Sequence, residues 1–380
     1  MVDGMVGATR RALAAVAALA AFGLGVSAQA QQVVKIGAVY PLSGNSASTG
    51  NYAKMAFEMG ADIINNGNPE LAKVMPLAKG GGLPGLKGAK IQMVIADNQG
   101  TPAAGQNQTL RLITEEKVAA VICCYQSGIT LTASAVAERY GIPFLNAESV
   151  AANLTERGFK WFFRTTPVAA DFAKANLPVT QKIAYSANST DVQPQVLQLK
   201  EKNPDVVIFI SYTSDAILYA KTMKELNWKP AILIADDGGF NDPAFVKAMG
   251  SVTEGLISRS VFASGKPGSV AAILDDLYKK KTGGDGLDDV SARVLQAFFV
   301  MAEAINNAGS TDPAKIRDAL RAVELKPEQL VAGYDGVKFD DKGQNVQAST
   351  LITQMRNGNY VSVWPKARAT HELVLPYKGW

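Results

Sequence analysis

Short apolar runs that alternate with amphipathic segments constrain this chain more than any other feature. Val33-Val-Lys-Ile-Gly-Ala-Val-Tyr40 ends in Pro41-Leu-Ser-Gly44 and reads as a strand followed by a loop. Behind it Ala53, Ala56, Phe57, Gly60, Ile63 and Ile64 recur at helical spacing. Lys90–Asp97 predicts a second strand, about Pro102–Glu116 a helix, and Val118–Cys124 a third strand. Ile129, Ala133, Val136, Ala137 and Tyr140 then mark one helical face, ahead of the strand Gly141–Asn146. Strands separated by helices pair in parallel, so the expected class is α/β with a doubly wound sheet.

The same rhythm resumes downstream. Lys182–Ser186, Asp205–Tyr212, Ala231–Asp236 and Gly255–Arg259 read as strands, with helices over about Val192–Lys202 and Asp215–Leu226. Val294, Ala297, Phe298, Met301 and Ile305 share one face of a long helix. Asp312-Pro313 offers an N-cap and an N1 proline for the next one. Asn357-Gly358, between Leu351–Arg356 and Tyr360–Trp364, is a type I′ hairpin signal. Two lobes are expected, and a hydrophobic content of 47% over 380 residues is enough for two cores.

At the N-terminus, Arg10 and Arg11 precede the apolar stretch Ala12–Val26 and the small-x-small triplet Ala28-Gln29-Ala30. This is the grammar of a secretory signal peptide over residues 1–30, with Gln31 as the mature start. The stretch is short for a membrane span of about 20 residues, and no cysteine sits there to take a lipid. A formal net charge of +4 without a basic run gives no reason to expect nucleic acid. The two cysteines, Cys123 and Cys124, read as small buried strand residues; strand neighbours point to opposite faces, which disfavours a bridge.

Catalytic grammar is missing. The one histidine, His371, lies in a polar tail with no nucleophile context, and neither G-x-S-x-G, HExxH nor a P-loop occurs. Gly80-Gly-Gly-Leu-Pro-Gly85 satisfies G-x-G-x-x-G, but it precedes a strand and contains proline, so it reads as a loop. No cofactor, no metal and no enzymatic activity are expected.

Polar loops at the carboxyl ends of strands remain, where open α/β sheets bind ligands. Gln126-Ser127-Gly128 places Ser127 at a helix N-terminus, to cap the helix or to receive an anion. Asp236-Asp237-Gly238-Gly239 offers a carboxylate for an ammonium, or a solvated loop. Tyr212-Thr213-Ser214 supplies an aromatic wall and hydroxyls or, again, a cap; Glu148-Ser149 is a fourth cluster. An anion site and a cation site on opposed lobes would suit a zwitterion.

Taken in order, Lys35-Ile-Gly-Ala-Val-Tyr-Pro-Leu-Ser-Gly44, Leu83-Pro-Gly-Leu-Lys-Gly88, Gly141-Ile-Pro-Phe144 and Leu154-Thr-Glu-Arg-Gly158 resemble the leucine/isoleucine/valine-type substrate-binding proteins of ABC importers. Phe163-Arg-Thr-Thr-Pro167, Ser211-Tyr-Thr-Ser-Asp215 and Val337-Lys-Phe-Asp-Asp-Lys-Gly343 extend the series over nearly all the mature chain. The resemblance implies a type I periplasmic-binding fold, a periplasmic location, a monomer, and delivery of a small solute to an inner-membrane permease. The lobes would comprise residues 31–165 with about 261–333, and about 166–260 with 334–380. Ser127 looks like the carboxylate-binding residue, with Gln126 beside it, and Asp237 takes the acidic position. Tyr212, Ser48 and Thr49 would line the pocket. Val150 falls where relatives often carry a hydroxyl, and Ser149 is its candidate substitute.

One departure stands out. Between Pro167 and Ile183 the family has a helix, a strand and another helix, whereas here only Val168–Gln181 intervenes. The second lobe is therefore expected to lack roughly one strand–helix unit near residues 176–180, to expose apolar surface there, and to bind weakly or fold poorly. Readings that stay open are a binder of amides, urea or aromatic acids, a ligand-sensing protein of this fold, and a degenerate non-binding paralogue. An uncharged ligand would leave Asp237 unpaired.

Overall fold

The computed structural model describes residues 32–169, 179–236 and 238–379. The proposed leader, Asp237 and most of the suspected gap lie outside the described residues.

The first sheet is parallel throughout, in the order β2-β1-β3-β4-β5. It comprises β1 (Val33–Tyr40), β2 (Lys90–Asp97), β3 (Ala120–Cys123), β4 (Phe144–Asn146) and β5 (Phe162–Arg164). Helices α1 (Ala47–Asn66), α2 (Pro102–Thr114) and α3 (Ser127–Tyr140) connect its early strands. Strand alternation separates two cores: Ile36, Ala38 and Tyr40 face one, while Val39, Val121 and Cys123 face the other. Both faces are covered, which is why these strands read as apolar runs.

The second sheet has the order β12-β11-β8-β7-β6. Its strands β6 (Val206–Ile210), β7 (Ile232–Asp236) and β8 (Ile257–Ser260) are parallel. Around it lie α4 (Gln193–Lys202), α5 (Thr213–Glu225), the single turn α6 (Gly238–Asn241) and α7 (Pro243–Met249). The chain then returns to the first lobe with α8 (Val270–Thr282), α9 (Asp289–Ala308) and α10 (Pro313–Arg321). Helix α9 packs so closely on α1 that a Cβ at Gly60 would lie 2.5 Å from the Phe298 ring. Asp312 caps α10 by accepting from Lys315 N at 3.0 Å, with Pro313 in the first turn, as the sequence predicts.

A small two-stranded sheet, β9 (Glu324–Leu325) with β10 (Val337–Lys338), precedes the final hairpin. That hairpin, β11 (Leu351–Arg356) and β12 (Asn359–Trp364), is antiparallel and adds to β8. Asn357 and Gly358 have φ of 50° and 78°, the left-handed pair a type I′ turn requires. Tyr334, Val337 and Phe339 pack in the first core, so the chain rejoins the second sheet at Leu351, later than residue 334.

Two local expectations change. Lys182–Ser186 is not a strand: it joins no ladder of the described residues, and a strand needs a neighbour to pair with. Cys123 and Cys124 are fully buried as expected, but their side chains lie against each other. β3 ends at Cys123, so the alternation that would part the two side chains does not extend to Cys124.

Candidate ligand-binding site

The strand-end loops of both sheets meet across the gap between the lobes. From the first lobe, α3 begins at Ser127 with Gln126 as N-cap and no side-chain cap. Ser127 therefore does not close its own helix, and its half-buried hydroxyl makes no hydrogen bond to a described residue. It stands beside first-turn N–H groups that have no intrahelical acceptor. Gln126 Nε2 reaches Ser46 Oγ at 3.4 Å, while its Oε1 is buried without a partner.

Ser149 is tied down. Its Oγ donates to Cys124 O at 2.9 Å and shares a hydrogen bond with Thr130 Oγ1 at 2.6 Å; Asn146 braces its backbone. Val150 is half-buried, its carbonyl accepting from Ala169 N at 2.8 Å.

The second lobe brings Tyr212 as N-cap of α5, without a side-chain cap. Its ring sits 5.4 Å from that of Tyr125, next to Gln126 in sequence. Thr213 does not cap either: its Oγ1 donates to Asp242 Oδ2 at 2.9 Å. The same oxygen accepts from Thr49 Oγ1 at 2.8 Å, and Ser48 Oγ donates to Asp242 Oδ1 at 2.9 Å. Asn45 Nδ2 adds a bond to Asn188 Oδ1 at 2.9 Å. The predicted loops thus form one cluster spanning both lobes, with Ser48 and Thr49 bonded across it.

Asp236 is neutralised by Arg259 at 2.7 Å, so it is not a free charge for a ligand. The glycines that follow permit close approach of the chain to itself. A Cβ at Gly239 would lie 2.3 Å from Ser211 O, and one at Gly238 would lie 3.0 Å from Tyr125 Oη. A neighbouring cavity of about 700 Å³ lies between the lobes, lined by Asn241, Lys247, Tyr360, Asp288 and Asp289. None of the described predicted residues lines it.

Behind the cluster lies a buried polar layer that sequence reasoning missed. Tyr40 Oη donates to both oxygens of Glu148 at 2.9 Å, and burial pushes the Glu148 carboxyl well above its usual range. Arg293 binds Asp289 at 2.8 Å and also reaches Thr166; Asp289 accepts from Ser260 Oγ at 3.0 Å and Val261 N at 2.6 Å. Burial works to raise the pKa of Asp289, but Arg293 and Arg259 bring it below the ordinary value. This pair holds two of the segments that run between the lobes. Asn345, on a third, donates to Thr165 O at 3.1 Å.

Asp242 was missed because Asp242-Pro243 reads as a helix start, and it does accept from Ala244 N. Among the described residues no three His, Cys, Asp or Glu side chains could hold a metal, and His371 is exposed. The arrangement offers hydroxyls, a helix N-terminus and aromatic rings, a set suited to holding a small polar molecule.

Two doubly wound lobes whose polar strand-end loops face one another define a two-lobed binding protein. The chain belongs to the periplasmic binding protein family, whose sequence profile matches residues 33–175 and 167–359. Its members bind substrates and are not enzymes. Leu/Ile/Val-binding protein homolog 7 of Brucella abortus is 29% identical over 406 positions, covering 92% of this chain and 96% of that protein.

Among solved structures, the branched-chain amino acid transporter substrate-binding protein LivJ of Streptococcus pneumoniae, in complex with isoleucine, superposes with a TM-score of 0.71. That match is 20% identical and covers 91% of this chain and 100% of the other. A solute-binding protein of an ABC transporter from Rhodopseudomonas palustris, in complex with 3,4-dihydroxybenzoic acid, gives 0.70 at 16% identity, covering 90% and 98%. At these identities the two structures establish the fold alone.

Proposed function

We propose that this protein captures an amino acid or a similar small carboxylate between its lobes in the periplasm and delivers it to the permease of an ABC importer. The observation that carries the reading is Ser127: a hydroxyl at a helix N-terminus that bonds to no described residue, near the Tyr125–Tyr212 contact between lobes. A carboxylate there accepts from the hydroxyl and the free N–H groups, with the helix dipole favouring its charge. Asp237, in the acidic position, receives the ammonium; Tyr212, Ser48 and Thr49 shape the rest. Export follows from cleavage after Ala30, and the protein acts as a monomer. The relatives named for leucine, isoleucine and valine favour a branched-chain ligand.

A second reading, an aromatic acid, is favoured by the two tyrosine rings and by the dihydroxybenzoate bound to one structural relative. A thermal-shift screen separates the two, because a ligand that binds only the folded state raises the melting temperature by mass action. Shifts with branched-chain amino acids support the first reading, shifts with benzoates alone the second, and no shift with either rejects both.

A further inference from the structure

The apolar cores of the two lobes do not merge: Phe57 and Phe298 belong to one, Phe240 and Phe245 to the other. Where α1 faces α7, the lobes are joined by polar groups, and α7 is held at both ends. Its N-cap Asp242 takes Ser48 and Thr49 from the first turn of α1. One turn on, Tyr52 Oη donates to Asp285 Oδ2 at 2.6 Å, and Lys247 in the last turn of α7 reaches the same oxygen at 2.7 Å.

The two ends are not equal. The Lys247 side chain is 63% exposed, and an ion pair in water adds little. Asp242, Thr49 and Thr213 are all buried. The chain itself saturates the Asp242 carboxylate. Oδ1 accepts from Ser48 Oγ and from Ala244 N, and Oδ2 from Thr49 Oγ1 and Thr213 Oγ1, which fills the lone-pair sites of both oxygens. The clasp is therefore complete without any atom of a ligand. A contact made of hydrogen bonds can also part, because water supplies replacements.

We propose that Asp242 is a latch on ligand exchange: clasped by Ser48 and Thr49, it holds the lobes together with or without a ligand between them, and so sets how fast a ligand enters and leaves rather than how tightly it is held. A tie between the protein's own groups stabilises the filled and the empty closed forms alike. While the open form is scarce, such a tie cancels from the affinity. A ligand gripped by both lobes exchanges only through the open form, so the tie slows entry and exit by the same factor. The latch itself needs no ligand; its effect on exchange rests on the proposed capture of a small carboxylate.

Asp242→Asn keeps the α7 cap and one acceptor oxygen. Parent and variant are compared as the chain from residue 31 onward, with melting curves recorded alongside. In buffer alone, small-angle scattering is expected to give a larger radius of gyration for the variant than for the parent. With leucine as the probe, stopped-flow fluorescence is expected to show association and dissociation rate constants that both rise about tenfold, while their ratio moves less than about threefold. Dissociation that speeds up alone would mean that the tie forms only around a ligand, and unchanged rates that it gates nothing; either result overturns the proposal. If the parent does not bind leucine, the capture reading fails for that ligand and the scattering decides the latch, equal radii overturning it. Should Asp242→Asn melt without a cooperative transition, Asp242→Ser, which keeps a capping oxygen, replaces it.

Discussion

Thr49 Oγ1 in the first lobe donates to Asp242 Oδ2 in the second at 2.8 Å, and Thr213 Oγ1 donates to the same oxygen at 2.9 Å. With Ser48 on the other oxygen, one carboxylate joins α1 to both α5 and α7. Hydrogen bonds to a charged acceptor contribute about 1.5–3 kcal/mol each when buried, so Asp242 is a main tie between the lobes.

Asp242→Ala removes that tie together with the cap of α7, while Asp242→Asn keeps the cap and one acceptor oxygen. The alanine variant is expected to give a larger radius of gyration in small-angle scattering than the parent, with the asparagine variant between them. Equal radii for all three would show that the carboxylate does not hold the lobes together.

Ser127→Ala removes a hydroxyl that bonds to no described residue. Its effect on folding stability should stay within about 0.5 kcal/mol. Ligand affinity should fall about tenfold or more, since the lost bond is to a charged carboxylate. A melting temperature that drops while affinity holds would assign Ser127 to the fold instead.

Burial first, then the charge of Asp242, pushes Asp288 up to about 7. A carboxyl with a folded pKa above its unfolded value of about 3.9 keeps its proton in the fold after the unfolded chain has released it. Its contribution is fully present at low pH and declines as pH rises from about 4 to about 7. Glu148, also raised, acts in the same sense; Asp289 and Asp97, both lowered, lose their contribution as pH falls. Asp288→Asn preserves the cap to Ser291 N and should flatten part of the decline in melting temperature between about pH 4 and pH 7. Identical pH profiles for parent and variant would contradict this.

Arg293→Met strips the cation from buried Asp289 while leaving it bonded to Ser260 and Val261. Breaking one side of a buried pair costs about 3–5 kcal/mol, and chemical denaturation should register it. A loss below about 1 kcal/mol would mean that the pair is not what secures these segments between the lobes.

Local pattern carried much of this architecture. Ile36, Ala38 and Tyr40 against Val39 reveal a strand covered on both faces, and Asn357-Gly358 reveals its turn, because both depend on neighbours in sequence. Lys182–Ser186 shows the limit: its residues suit a strand, but pairing depends on a neighbour that its own sequence does not specify. The site divides in the same way. The helix start at Ser127 was legible from its place after β3, whereas Ser149 looked available and is consumed by Cys124 and Thr130. Asp242 caps its helix in the same Asp-Pro pattern as Asp312, and only tertiary folding gives it Thr49 and Ser48. Asp237 lies outside the described residues, so its role rests on the family resemblance.

Isothermal titration of the chain from residue 31 onward with leucine, isoleucine, valine and benzoates, repeated on Ser127→Ala, tests ligand capture most directly. The account predicts saturable one-to-one binding of a carboxylate, weakened by loss of the Ser127 hydroxyl. A folded, cooperatively melting chain that binds none of them, or binds one equally well without Ser127, would contradict it.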